Sequence, residues 1–444
     1  MNISPKLTRL DMSMIMISLV IGMGIFATPA EVAGYLNQPY TYFAAWFIGG
    51  VVSFCGALTF AEIGSAYPST GGFYKVFSFC FHPAFAFMIN WILVISNAMS
   101  VAAITIIGAQ YISPFVIPHH IAYNTGIRLI TITSVLALYL LNLKGIKASA
   151  KTQNVLTVFK IALILVISLA VFKTDVHITA PAQSLNQLNP INSLGLSMVA
   201  IFFAYGGYQQ TINFGGDVIN ARQNLPKAIF TGMLVVIALY MIINYAYISV
   251  LGIENLKLKP ALAATMAGVL LGSAGYKIVS VLMFTSVLAY VNVNILANPR
   301  VYYAMAEDGI LPNIFKRINK RTQVQEFGLS FFVFAIILVL IFIDSFKKVL
   351  SYVMFFDTIG LSLSALCIFI LRAKQKNSDN IPGVFRIKWY PLVPLIFIIC
   401  YWAVTVVIFI EHPVGALICL SSFLVGLIIY YFTKRNQKVI TLHN

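Results

Sequence analysis

The stretch SLVIGMGIFATP at residues 18–29 places Gly22 and Gly24 in the middle of an apolar segment that is long enough to cross a membrane. A second such segment is interrupted at Tyr205-Gly206-Gly207. Within lipid every backbone N–H and C=O needs a partner, so an unwound turn is tolerated only inside protein or beside a wet cavity. The two interruptions therefore predict helices that are broken inside the membrane and a site that lies between them.

The composition predicts a protein that crosses the membrane many times. The chain has 444 residues, of which 60% are hydrophobic and only 9% charged, whereas soluble proteins carry about 25% charged residues. A helix needs roughly 20 apolar residues to cross the hydrocarbon core. We therefore predict an all-α integral membrane protein with twelve transmembrane helices. These are numbered here as spans 1 to 12, at about residues 12–34, 41–66, 83–113, 124–143, 153–172, 193–216, 227–252, 273–305, 327–344, 349–371, 390–411 and 413–432.

The basic residues predict the orientation of these spans. Most of the 29 lysines and arginines fall in loops on the side of the membrane that holds the N-terminus. Since loops rich in Lys and Arg stay in the cytoplasm, we expect a multi-pass protein of the cell membrane with both termini cytoplasmic. The net charge of +16 follows from these dispersed loops. We therefore expect the lipid bilayer, and no nucleic acid, as a partner.

The positions of the two breaks predict an internal repeat. The breaks lie in spans 1 and 6, and an interval of five spans makes these two cross the membrane in opposite senses. This is the geometry of an inverted repeat of five plus five helices. We predict a first repeat over residues 10–173, a second over residues 190–372, and two further helices over residues 389–432.

The two breaks predict complementary binding groups. The glycines of span 1 expose N–H groups at the start of its second half-helix, where a carboxylate can bind without a basic side chain. In span 6 the carbonyls of Phe203, Ala204 and Gly206 can be left unpaired and can face an ammonium group. A free amino acid carries both groups. The alternative is that the glycines only allow close helix packing, but one break in each predicted half favours a binding site.

Three polar residues within the spans are candidates for function. Lys160 follows Lys151 by nine positions and so lies roughly 13 Å into span 5. An ammonium group at this depth needs a partner in the protein interior, unless the side chain extends back to the interface. A buried lysine can also release its proton, which makes Lys160 a candidate proton carrier. Asn97 in span 3 is a candidate pocket residue or an interhelical hydrogen-bond partner. Asp357 in span 10 can pair with neighbouring polar groups, carry a proton or select a cationic substrate.

Motifs of other functional classes are absent from the sequence. The six histidines show no metal-ligand spacing, the five cysteines form no CxxC pair, and no P-loop occurs. A rival interpretation is an intramembrane enzyme, which would need a cluster of His, Asp and Glu at one depth, and none is visible. We therefore expect a protein that is not an enzyme, with no catalytic residues, no cofactor and no metal site.

Five motifs, in order across about 300 residues, resemble those of one transporter family. They are GMGIF at residues 22–26, AEIGSAYPSTGGFY at 61–74, FAYGG at 203–207, DVINARQNLPKAI at 217–229 and RVYYAMAEDGILP at 300–312. Together they are similar to the amino acid–polyamine–organocation (APC) superfamily of transporters, and within it to the L-type, sodium-independent branch and its bacterial relatives.

The resemblance implies where a substrate amino acid binds. Its α-carboxylate would meet the N–H groups around Gly22, Met23, Gly24 and Ile25, and its α-amino group the carbonyls near Val20, Phe203 and Gly206. Many members carry Ser where this chain has Met23, which removes a hydroxyl donor and adds bulk. The predicted substrate-binding residues are Val20, Ile21, Gly22, Met23, Gly24, Ile25, Asn97, Phe203, Ala204, Tyr205, Gly206 and Gly207.

The resemblance also implies a mechanism. Similar transporters place a lysine at the position of Lys160, where sodium-coupled relatives bind a cation against helix 1, so its charge would remove the need for Na⁺. We expect alternating access for neutral amino acids, by exchange or by proton symport. A carrier of cationic amino acids or polyamines, and a sensor that binds without transport, are the alternatives. The external loop between spans 3 and 4 has no cysteine, so we expect no disulfide-linked partner subunit.

Overall fold

The computed structural model describes residues 5–118, 121–173, 190–257, 262–342, 346–375, 383–411 and 413–441, and these residues form an all-helical protein. The end of predicted span 9, at residues 343–344, lies outside them. The helices, labelled in chain order, are α1 (Arg9–Val20), α2 (Gly24–Tyr35), α3 (Pro39–Ala66), α4 (Gly72–Cys80), α5 (Pro83–Val116), α6 (Tyr123–Leu143), α7 (Ile146–Ser168), α8 (Pro190–Tyr205), α9 (Ala221–Leu256), α10 (Leu262–Glu307), α11 (Glu326–Phe342), α12 (Phe346–Gln375), α13 (Leu392–Glu411) and α14 (Pro413–Thr441).

The predicted all-α membrane class is confirmed. Among the described residues, ten helices are long and apolar enough to cross a membrane, and α1 with α2 counts as one of them. Two shorter apolar helices, at Glu326–Ile341 and Cys419–Tyr431, lie where spans 9 and 12 are predicted. The count of twelve spans and the five-plus-five repeat remain predictions.

The first predicted break is present and separates α1 from α2. α1 begins at Arg9 and is capped by Thr8, whose side chain and Asp11 form a capping box that satisfies the first N–H groups. Its helical hydrogen bonds end with Ile21, whose N–H donates to the carbonyl of Ile17 (2.8 Å). The chain then turns through Gly22 and Met23 before α2 begins at Gly24. The apolar segment is therefore two half-helices joined by a short unwound turn.

The second predicted break follows α8. The chain leaves the α-helix at Tyr205, passes through Gly206 and Gly207, and continues as a 3₁₀ helix over Tyr208–Asn213. Gly207 has φ +112°, in the left-handed region that only glycine adopts without strain. A Cβ atom at this position would also clash with the carbonyl oxygen of Leu19, in the last turn of α1. The break thus needs Gly207 for its backbone conformation and for its contact with the first break.

Close packing and unwinding are both present at the breaks. A Cβ atom on Gly24 would lie 2.8 Å from the Cα atom of Ala204 in α8, which is too close for any side chain. The packing explanation of the glycines is therefore correct for Gly24 and Gly207, and it does not replace the unwound turns. The glycines bring the two breaks into direct contact at the centre of the helical bundle.

Ion pairs and backbone hydrogen bonds stabilise the end of the bundle that holds the N-terminus. Arg300 at the end of α10 donates to Asp217 (2.6 Å), and both side chains are buried. Arg372 at the end of α12 forms a bidentate pair with Glu62 of α3 (2.7 and 2.8 Å). The backbone N–H of Leu7 donates to the Asp217 carbonyl (2.9 Å). Asp217 and Glu62 thus act as packing anchors at this end.

Candidate functional site

A cavity lies between the two breaks, where α5, α10, α12 and α13 approach them. About 590 Å³ of it is not filled by protein atoms, open solvent at its mouth included. Its lining combines backbone at the breaks with aromatic and polar side chains from the surrounding helices. The lining residues are Val20, Gly22, Gly24, Asn97, Ser100, Ile104, Phe202, Phe203, Gly206, Gly207, Gln209, Gln210, Tyr290, Met354, Asp357, Leu361 and Tyr401.

The start of α2 offers N–H groups to this cavity. Gly22 turns its own N–H back to the Val20 carbonyl (2.8 Å). Within the described part of the chain, no hydrogen-bond acceptor is found for the N–H groups of Met23, Gly24 and Ile25. The first N–H groups of a helix carry its positive dipole end and bind anions. This end of the cavity is therefore suited to a carboxylate.

The carbonyls at the breaks correct one expectation from the sequence. The Phe203 carbonyl accepts from the N–H of Gly206 (3.3 Å), and the Ala204 carbonyl accepts from the Tyr240 hydroxyl (2.9 Å). The expectation that both carbonyls are unpaired is therefore wrong in this conformation. The reason is that α8 ends in a tight turn that reuses one of them, while a side chain of α9 reaches the other.

Tyr240 is a residue of the site that the sequence interpretation missed. Its hydroxyl lies 3.1 Å from the carbonyl of Val20 and 2.9 Å from that of Ala204, so one group contacts both breaks. The side chain is completely buried, and its ring packs against Tyr205 and Trp46. The only sequence signal is a tyrosine in the middle of an apolar span, which by itself does not indicate its partner.

Lys160 lies against the first break. It is completely buried, and its ammonium group donates to the Ser18 hydroxyl (3.0 Å), the Ser18 carbonyl (3.2 Å) and the Ile21 carbonyl. The ammonium group also lies 6.0 Å from the centre of the Tyr290 ring, which lines the cavity. The side chain does not extend to the interface, so the interfacial alternative is excluded. The Lys160 side chain thus occupies the carbonyl side of the helix 1 break.

One part of the cavity wall carries amide side chains. The Gln210 amide donates to Asn97 (3.2 Å) and Asn294 (3.4 Å), and Asn97 in turn donates to Asn298 (2.9 Å). Asn97 therefore both lines the cavity and takes part in an interhelical hydrogen-bond cluster, so the two alternatives from the sequence are both met.

Asp357 of α12 contributes a carboxylate to the same cavity. It accepts a hydrogen bond from the Ser96 hydroxyl (3.1 Å). Among the described residues, no basic side chain forms an ion pair with it.

Some predicted site residues do not line the cavity. The side chains of Ile21, Met23, Ile25 and Ala204 are buried in the core beside the breaks. Tyr205 packs away from the cavity and points its hydroxyl toward the Trp46 carbonyl (3.4 Å). The predicted residues that do line it are Val20, Gly22, Gly24, Asn97, Phe203, Gly206 and Gly207, together with Asp357.

The fold and the cavity define a membrane protein whose site lies between two broken helices. The model of the amino acid permease family matches residues 7–434, and the chain belongs to this family. It is an amino acid transporter of the APC superfamily and not an enzyme.

Several named proteins are similar to this chain along most of its length. The serine/threonine exchanger SteT of Bacillus subtilis (strain 168) is 29% identical over 429 residues, which cover 95% of each chain. The large neutral amino acids transporter small subunit 2 of Rattus norvegicus is 25% identical over 94% of this chain and 78% of its own length. The Asc-type amino acid transporter 1 of Homo sapiens is 26% identical over 92% of this chain and 79% of its own length.

Proposed function

We propose that this protein is a sodium-independent transporter of neutral amino acids that works by alternating access in the cell membrane, with both termini cytoplasmic. The observation that carries the proposal is the contact of the Lys160 ammonium group with Ser18 and Ile21 at the helix 1 break. A positive charge at this place satisfies the carbonyls that an unwound helix leaves open.

The sodium independence follows from the same contact. A sodium ion in proteins is bound by oxygen atoms, and carbonyls freed by unwinding in a transporter helix are the usual donors. Here the oxygens of Ser18 and Ile21 already bind an ammonium group that is covalently attached to α7. A second cation at this place would be repelled by the first. Transport therefore proceeds without Na⁺.

The geometry of the breaks supports a proposed position for the substrate. Its α-carboxylate binds the N–H groups of Met23, Gly24 and Ile25, which have no acceptor in the described part of the chain. Its α-amino group approaches the carbonyl side of the second break, near Gly206 and the shared carbonyls of Phe203 and Ala204. Phe202, Phe203 and Tyr401 supply an apolar surface for the side chain. This arrangement favours a neutral amino acid.

Exchange is the proposed mode of transport, and proton symport is its alternative. Exchange is supported by the relative that is named an exchanger, and by the three acceptors that hold the Lys160 ammonium group. Proton symport would require Lys160 or Asp357 to lose and regain a proton during the cycle. The chain is proposed to act without a disulfide-linked subunit.

A second candidate function is favoured by one observation. Asp357 presents a carboxylate to the cavity without a basic partner among the described residues. A cationic amino acid or a polyamine could supply that partner. A third interpretation, a sensor that binds an amino acid without moving it, uses the same cavity and differs only in the absence of flux.

Uptake of radiolabelled amino acids into proteoliposomes tests these proposals. Serine, leucine and lysine would be supplied in Na⁺-free buffer, with and without unlabelled substrate inside and with and without an inward proton gradient. We expect uptake of a neutral amino acid that depends on internal substrate. Uptake driven by the proton gradient alone would establish symport, preference for lysine would establish the second candidate, and binding without flux would establish the sensor.

A further inference from the structure

One face of α7 carries a row of buried polar side chains below Lys160. Ser149, Gln153 and Thr157 precede Lys160 at intervals of four, four and three residues, which places all four on the same face of the helix. Each of the four side chains is completely buried. Polar side chains inside a membrane helix are costly and rare unless they have partners, so this row needs an explanation.

The row belongs to a continuous set of hydrogen bonds between α6, α7 and α10. The Ser149 hydroxyl donates to Asn142 (2.6 Å), and the Asn142 amide donates to Asn292 (2.8 Å). The Asn292 amide donates to Gln153 (2.8 Å), and the Gln153 amide donates to Thr157 (3.3 Å). We call these five residues, Asn142, Ser149, Gln153, Thr157 and Asn292, the amide network. Its bonds all run in one direction, so each polarises the next.

The amide network ends on the half-helix that Lys160 contacts. The Thr157 hydroxyl donates to the carbonyl of Gln153 in its own helix (2.7 Å) and also lies 3.4 Å from the carbonyl of Met14 in α1. Met14 precedes Ser18 by four residues, which is about one helical turn. The hydroxyl and the carbonyl of Ser18 both accept hydrogen bonds from the Lys160 ammonium group. The network and Lys160 therefore contact successive turns of α1 from successive turns of α7. Lys160 makes the shorter contacts with α1, and Thr157 lies beside the preceding turn.

The middle member of the network, Asn292, lies on a helix that lines the cavity. α10 carries Asn292 in the network, Tyr290 in the cavity lining, and Asn294 in contact with Gln210. Hydrogen bonds through Asn292 and Gln153 therefore connect the cavity wall on α10 with the face of α7 that lies against α1. The chain of amides cannot itself carry the positive charge, because neutral amides hold their protons. Its role is to fix geometry.

We propose that Gln153 and Asn292 are positioning residues that hold the Lys160 ammonium group at the helix 1 break and couple it to the cavity wall on α10. This inference rests on the proposed role of Lys160. The new element is that Gln153 and Asn292 connect Lys160 to the neighbouring helices.

The network can be broken without changing side-chain volume. Thr157→Val replaces the hydroxyl with a methyl group, whereas Thr157→Ser keeps the hydroxyl. Gln153→Met removes both the amide oxygen and the amide N–H groups, and the new side chain has a similar volume. We expect Thr157→Val and Gln153→Met to lower the exchange rate in Na⁺-free proteoliposomes about tenfold, since each leaves buried partners unpaired. Thr157→Ser should keep a rate close to wild type.

A matched control separates positioning from general packing. Asn90 in α5 is also a buried amide, and its side chain donates to Ala86 of its own helix (2.7 Å). Asn90→Leu should keep the exchange rate within about threefold of wild type, whereas Asn292→Leu should lower it about tenfold. Every variant would first be shown to elute as a single species from a size-exclusion column.

A double-mutant cycle on substrate binding tests whether the network acts through Lys160. The affinity for the transported amino acid would be measured in detergent for Gln153→Met, for Lys160→Ala and for the double variant. If Gln153 positions Lys160, the second substitution has no further effect once Lys160 is absent. Additive losses, or wild-type exchange by Gln153→Met and Thr157→Val, would overturn the inference. Wild-type exchange by Lys160→Ala alone would overturn the proposed role of Lys160 and, with it, this inference.

Discussion

The two helix breaks of this protein satisfy their backbone groups in different ways. At the first break, carbonyls of α1 and the turn that follows it are bound by a charged side chain from α7, the ammonium group of Lys160. At the second break, the groups are satisfied locally and by neutral donors: Gly206 donates to Phe203, and the N–H of Gly207 donates to the side chain of Gln209 (3.0 Å). The first break is therefore held by a distant helix, and the second mostly by its own turn.

This difference suggests a separate role in transport for each break. We propose that the helix 1 break, which depends on another helix, opens or closes when that helix moves and so couples transport to that motion. In this proposal the second break, stabilised by its own turn, keeps its shape and provides a fixed wall for the substrate. Tyr240 contacts a carbonyl of each break and is the point where the two are joined.

The largest effect is expected from removing the charge at the first break. Lys160→Ala leaves the carbonyls of Ser18 and Ile21 without their donor, and unpaired buried groups cost about 1–3 kcal/mol each. We expect the exchange rate in Na⁺-free proteoliposomes to fall by about a hundredfold or more. The variant should still fold, as judged by its elution from a size-exclusion column. Full activity in the variant would remove Lys160 from the mechanism.

A smaller loss is expected from stiffening the second break. Gly207→Ala forces a left-handed conformation on a residue with a Cβ atom, which costs about 1 kcal/mol or more, and it adds a clash with the Leu19 carbonyl. We expect at least a tenfold lower exchange rate. Gly34→Ala in α2 is the matched control, because Gly34 has no positive φ and an added Cβ atom there would have no neighbour within 4 Å. Equal rates for the two variants would mean that the conformation of Gly207 is unimportant.

Removal of a single hydroxyl group abolishes the hydrogen bonds that Tyr240 makes to the two breaks. Tyr240→Phe removes the donor shared by the Val20 and Ala204 carbonyls, and we expect the turnover rate to fall about fivefold to tenfold. Tyr247 offers a control on the same helix: it is completely buried, and its hydroxyl has no partner in the described part of the chain. Tyr247→Phe should therefore transport like wild type, and a similar loss in both variants would count against a special role of Tyr240.

The smallest effect on the uptake of neutral substrates is expected from a change of Asp357 in the cavity wall. Asp357→Asn keeps the shape of the side chain and its contact with Ser96, so uptake of a neutral amino acid should change by less than about threefold. Competition by lysine against the labelled neutral substrate reports charge selectivity. If lysine competes in the wild type and not in the variant, Asp357 binds a substrate cation. A loss of proton-driven uptake in the variant would instead identify it as a proton carrier.

The sequence predicts the parts of this site that depend on local backbone chemistry. Paired glycines in the middle of apolar spans predicted both breaks, since few other residues allow a turn there. Lys160 was found because a charge at that depth requires a partner. These inferences need only the position of a residue along its own helix.

The missed features depend on how one helix is rotated against another. Tyr240 and Asn292 are ordinary polar residues of long apolar spans, and their partners on α1, α8 and α7 are fixed only when the helices pack. The pairing of the Ala204 carbonyl with Tyr240 was missed for the same reason. The Phe203 carbonyl instead pairs within its own turn, with the N–H of Gly206, and the exact geometry of that turn was not evident from the sequence.

The central claim is that the Lys160 ammonium group occupies the helix 1 break in place of a sodium ion. The most direct measurement is the rate of exchange of a labelled neutral amino acid by wild-type protein in proteoliposomes, with Na⁺ and with choline in its place. The account predicts equal rates in the two buffers and no accumulation driven by a sodium gradient. Stimulation of the rate by Na⁺, or uphill uptake driven by its gradient, would contradict it.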